Sequence, residues 1–190
     1  SADAVRYWAT SVGTGGDTLL NDEVIRKGGR LVTKLWNACR LVLPYLEGYQ
    51  PPEAPPDSLN LTDRWLLASL NETVRRSGEA MAAYECRAAR DDVERFFWTD
   101  LCDNYLELVK YRLYGEAEGS SVAGRDAARY TLYHALLAVL KLLAPFLPFI
   151  TDDLYRAGFP AAAARSTSIH MARWPEPVAA WGDDSATTHG

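Results

Sequence analysis

Between Asp22 and Leu46 the apolar residues Val24, Ile25, Leu31, Val32, Leu35, Trp36, Cys39, Val42, Leu43 and Leu46, with Gly28 among them, recur at steps of three and four. At 100° per residue they fall within an arc of about 140°, one buried face of an α-helix. Such a helix must lay that face against other elements, so the chain is built by packing helices. Arg26, Lys27, Arg30, Lys34, Asn37 and Arg40 occupy the opposite arc, also about 140° wide. Residues 24–46 contain five cations and no acid, in a chain whose net charge is −5. This local basic stripe on an acidic body offers forked guanidiniums for phosphate or guanine edges, and an amide for a base edge. Three readings stay open on chemistry alone: a nucleic-acid face, an ordinary solvated face, or a docking site for an acidic protein partner.

Helical periodicity continues along the chain, with no convincing alternating strand before residue 165. "ADAVRYWATSV" predicts a short helix with Asp3 near its start, and "GTGGD" (13–17) reads as a turn, without the lysine of a phosphate-binding loop. Pro44 is expected to bend or fray the last turn of the 22–46 helix. "EGYQPPEAPPDSLN" (47–60) reads as a stiff proline-rich connector. Thr62 or Asp63 is expected to cap a helix running to about Tyr84. Residues 86–114 read as helical with a break before Phe96, "GEAEGSSVAG" (115–124) as a loop, and 125–144 as a central helix stopped by Pro145. Pro148 suits the first turn of a short helix ending before Gly158, with Asp152 and Asp153 in that turn. "STSIHMARWP" (166–175) reads as one extended edge segment and the tail from Glu176 as disordered. Four long helices with mixed connectors predict an all-α, antiparallel helical bundle with a short extended segment near the C-terminus.

"FFWTDLCDNYLELVK" (96–110) crowds two aspartates, a cysteine and a glutamate together. On a wheel of residues 93–113, Phe97, Trp98, Leu101, Cys102 and Tyr105 share the apolar half. Asp100, Asp103, Glu107 and Lys110 share the other half, with Phe96 and Tyr111 on the polar side. The acids read as a polar stripe, with Glu107 able to pair with Lys110. Catalysis or metal binding by Asp100, Asp103 and Glu107 would need ligands or a pocket from another helix, and no Glu-x-x-His pair supplies them. Cys39, Cys86 and Cys102 form no paired motif and read as reduced thiols. His134 reads as a hydrogen-bonded bundle histidine, and His134, His170 and His189 match no metal-ligand spacing. No apolar run reaches the roughly 18 residues a membrane span needs.

Four stretches, "ADAVRYW" (2–8), "GGRLVTKLWNACRLVL" (28–43), "FFWTDLCDNYLELVK", and "LLAPFLPFITDDLY" followed by "SIHMARWP", together resemble the C-terminal part of the class I aminoacyl-tRNA synthetases for aliphatic amino acids, most closely the valyl enzymes. The isoleucyl enzymes are the alternative; they typically have Asn-Thr where this chain has Asn37-Ala38. Leu41 stands where phenylalanine is common, and Asp152-Asp153 and Tyr155 replace Glu-Glu and Trp. The HIGH and KMSKS motifs, the editing domain and the long C-terminal hairpin have no counterpart here. The resemblance therefore implies an anticodon-binding bundle with no catalytic residue, metal site or cofactor of its own. The parent enzyme would use ATP and Mg2+, and the partners would be tRNA(Val) and the catalytic and editing domains. It implies a cytoplasmic, monomeric protein divided as 1–21 (junction from the catalytic domain), 22–158 (bundle), 159–175 (extended closing segment) and 176–190 (tail). Within the bundle, Arg26, Lys27, Arg30, Lys34, Asn37 and Arg40 are the expected tRNA-binding residues.

Overall fold

A computed structural model describes residues 1–12, 19–114 and 121–182. The described elements are helical: α1 (Ala2–Ala9), α2 (Asp22–Leu46), α3 (Leu61–Ala82), α4 (Cys86–Arg95), a π-helix (Phe96–Tyr105), α5 (Leu106–Tyr114), α6 (Val122–Leu143), α7 (Pro148–Gly158) and the short α8 (Pro160–Ala163), then 3-10 turns at Ile169–Met171 and Ala179–Trp181. The turn expected at 13–17 and most of the loop expected at 115–124 lie outside the described residues.

Side-chain caps set the helix starts. Asn21 Oδ1 accepts from the backbone N–H of Glu23 and Val24 ahead of α2. Asn60, rather than Thr62 or Asp63, caps α3; its side chain accepts from Asp63 N–H while the Asp63 carboxylate accepts from Asn60 N–H. Ser121 caps α6, which therefore starts three residues ahead of its expected beginning. Asp3 turns away from its own helix, is buried, and accepts from Phe149 and Ile150 N–H at 3.1 and 2.9 Å. A carboxylate is well placed there, because the first N–H groups of a helix lack partners. Asp152 is not in the first turn of α7. It accepts from Ser168 Oγ and Ile169 N–H and pairs with Arg156, tying the closing segment down.

α6 is the centre of the bundle, touching α2, α3, α4, α5 and α7. Leu132, Leu136, Val139, Leu140, Leu142 and Leu143 are all fully buried. α2 adds Leu31, Leu35, Cys39 and Val42, and the π-helix adds Phe96, Phe97, Leu101 and Tyr105. α1 lies on α2 because Gly28 leaves a notch for Tyr7; a Cβ there would sit 2.8 Å from Tyr7 Cβ. α2 runs through Pro44 to Leu46, so the expected fraying does not shorten it.

The closing segment is not one extended strand. α8 and the Ile169–Met171 turn interrupt it. The tail is also ordered further than its composition suggests. Asn71 brackets the Val178 backbone, donating to its carbonyl at 2.7 Å and accepting from its N–H at 2.9 Å. Trp181 is buried, with Nε1 donating to Tyr130 Oη.

Candidate nucleic-acid interface

Burial of Gly28, Leu31, Leu35, Ala38, Cys39 and Val42 fixes the roll of α2 and turns its basic side outward. Arg26, Arg30, Asn37 and Arg40 are exposed. None of these three arginines has an ion pair among the described residues. The other two cations are engaged. Lys27 Nζ lies 3.1 Å from Glu94, a buried carboxylate that also accepts from Tyr7 Oη at 2.6 Å. Its expected RNA-binding role therefore competes with a structural one, the latching of α1 and α4 to α2. Lys34 Nζ lies 3.4 Å from Asp103 and 4.5 Å from the centre of the Trp98 ring, and its side chain keeps 32% exposure.

A shallow open groove of about 690 Å³ runs along this face, lined by Arg26, Arg30, Lys34, Asn37 and Trp98 beside small or neutral residues, and no carboxylate lines it. Trp98 was expected in the core. It is only partly buried, whereas Phe96, expected on the polar side, is fully buried. The cause is the π-helix. Each of its turns holds roughly one more residue than an α-turn, so a wheel drawn at 100° per residue loses phase across it. The sequence carries one hint: Phe96, Phe97 and Trp98 in a row cannot share one narrow face. Trp36 is the other departure, 51% exposed despite its place among the apolar positions of α2, and Leu41 is 39% exposed.

The acids that raised the question of catalysis have separate partners. Asp100 accepts from Ser69 Oγ, Asp103 faces Lys34, and Glu107 holds Lys110 at 2.7 Å. Among the described residues no group of three or more His, Cys, Asp or Glu side chains is arranged to hold a metal. Burial pushes the Cys39 and Cys102 thiols up to about 12, which keeps them protonated and unreactive. His134 was expected to be hydrogen-bonded, but its Nε2 is buried without a hydrogen-bond partner. It sits among Tyr130, Tyr133 and Trp181, and burial lowers its pKa to about 4.

The family described as "Anticodon-binding domain of tRNA ligase" matches residues 63–189, well over half of the chain. The chain belongs to that family. As an anticodon-binding domain it is similar to three proteins named "Valine--tRNA ligase". That of Anaplasma marginale (strain St. Maries) is 41% identical over 174 residues, covering 92% of this chain and 20% of the relative. That of Orientia tsutsugamushi (strain Boryong) is 38% identical over 199 residues, covering 100% and 23%. That of Methanopyrus kandleri is 37% identical over 191 residues, covering 100% and 20%. The domain thus spans about a fifth of the length of the curated relatives it matches. Its fold resembles LeuRS in the crystal structure of the Agrobacterium radiobacter K84 LeuRS–tRNA–LeuAMS ternary complex, with a TM-score of 0.67, 18% identity, and coverage of 93% of this chain and 19% of that one. The family match begins after α2, while the alignments that cover the whole chain include the basic helix.

Proposed function

We propose that this domain binds the anticodon stem-loop of tRNA(Val) and holds it for the ATP-dependent attachment of valine, in the cytoplasm, by the remaining part of a valine–tRNA ligase. In that reading residues 1–21 lead from the catalytic part and α2 provides the RNA face. The observation that carries it is the exposed, acid-free side of α2, where Arg26, Arg30 and Arg40 have no counter-charge among the described residues. Unpaired guanidiniums seek oxyanions, and a folded RNA presents them in series. Asn37 adds an amide for a base edge, which suits a loop whose bases are splayed out.

The test is titration of the 190-residue chain with a tRNA(Val) transcript and with the same transcript carrying another anticodon. The tRNA(Val) should bind more tightly. Arg26→Glu combined with Arg30→Glu should weaken binding and lower the slope of log affinity against log salt by about 1.4, with the helical content unchanged. An unaltered affinity in that double variant sinks the proposal. Tight, salt-sensitive binding to acidic proteins without RNA preference would replace it with a protein-docking face.

A further inference from the structure

We infer that Trp98 is the stacking platform for one unpaired base of the bound RNA, and that Lys34 is the cap which that base displaces. The inference rests on the reading of α2 as the RNA face and assigns a role to a residue outside that helix. Trp98 is the aromatic side chain among the residues lining the groove, beside Arg26, Arg30 and Asn37. Its ring already attracts a cation, since Lys34 Nζ stands 4.5 Å from the ring centre.

Lys34 is held lightly. Its second partner, Asp103, is 3.4 Å away and its side chain is 61% exposed, so solvent screens the pair. A base offers the indole a wider surface than an ammonium does, and base stacking on aromatic rings tolerates any base. On displacement, the flexible stem of Lys34 carries its charge to a neighbouring phosphate. Asn37, on the same groove, then meets the edge of the stacked base.

Trp98 also walls a smaller cleft of about 180 Å³ with Lys27, Asp91, Glu94 and Arg95. Its two carboxylates balance its two cations, so that cleft offers phosphate no net attraction and the acid-free groove is the side that draws the RNA backbone. Phe97 meets the Trp98 ring edge-on at 6.4 Å, which helps hold the indole in place before RNA arrives.

The experiment compares wild type, Trp98→Phe and Trp98→Leu for binding to tRNA(Val) and to a fully paired RNA duplex of equal charge. The leucine variant should lose about tenfold or more in tRNA affinity and the phenylalanine variant less, with the salt slope and duplex binding unchanged. Equal tRNA affinity of wild type and Trp98→Leu, with tRNA still preferred over duplex, overturns the stacking role alone. Wild type that binds the duplex as tightly as tRNA overturns the RNA-face reading beneath it. Should Trp98→Leu fail to fold, fluorescence decides: tRNA must quench wild type more than Trp98→Phe, and equal quenching refutes the inference.

Discussion

Arg112 grips Asp63 through both terminal guanidinium nitrogens, each 2.7 Å from a carboxylate oxygen, with the pair 5% and 0% exposed. Tyr105 Oη donates to the same carboxylate, which also accepts from Asn60 N–H at the start of α3. One buried acid therefore joins the cap of α3, the end of the π-helix and α5. Removing one partner would leave the other charge buried without compensation. Arg112→Ala should cost about 3–5 kcal/mol. Arg112→Lys should recover only part of that, because a lysine cannot form the two-pronged contact. The double change Asp63→Asn with Arg112→Met should cost less than Arg112→Ala. Urea unfolding midpoints measure all three.

Gly28 and Gly29 are neighbours with opposite expected behaviour. A Cβ on Gly28 meets Tyr7 at its own Cβ, an atom close to the backbone, whereas a Cβ on Gly29 meets nothing within 4 Å. Gly28→Ala should destabilise by about 1–3 kcal/mol through overpacking, partly offset by the better helix propensity of alanine. Gly29→Ala should stabilise by up to about 1 kcal/mol. Thermal melts of the two variants give the comparison.

His134 makes stability depend on pH. Its pKa is lowered to about 4 when folded, through desolvation, against 6.5 for the free side chain. The unfolded chain therefore binds the proton first as the solution is acidified. The stabilisation is full above about pH 6.5 and fades as pH falls toward 4, by roughly 2–3 kcal/mol at most. His134→Phe should flatten this part of the profile. Unfolding free energies at pH 4.5 and 7 in both proteins provide the check.

The described part of the tail, up to Gly182, is a structural part of the bundle. Trp181 rests on Tyr130 and His134, and Asn71 clasps the Val178 backbone. Trp181→Ala should cost about 3 kcal/mol, and Asn71→Ala about 1–2 kcal/mol. The two should be less than additive because they loosen one segment. Chemical denaturation of the single and double variants tests this.

Asp103 is the acid that faces Lys34, and under the proposed function it competes with RNA for that cation. Asp103→Asn should raise tRNA affinity by about two- to fivefold, with no change in melting temperature beyond a degree or two. Filter binding at low salt is the measurement.

Much of this was legible in the residues. The span of α2, its buried stripe, the central α6 and the Glu107–Lys110 pair follow from spacing, because an α-helix repeats regularly and one apolar face has to find cover. The departures share a different cause. Asn60 caps α3 because Asp63 answers it, and Asp3 serves a helix more than a hundred residues away. Lys27 is drawn to Glu94 because Tyr7 fits the notch at Gly28.

By itself, then, the sequence determined that the chain packs helices and that one of them carries a basic, acid-free side opposite its apolar face, since both depend on order along a single regular repeat. Tertiary structure alone decided which cations stay free, where Trp98 stands, and that Trp181 of the tail belongs to the core. Those outcomes depend on a π-helix that shifts the phase of the side chains, and on carboxylates and rings arriving from distant positions, which local periodicity does not encode.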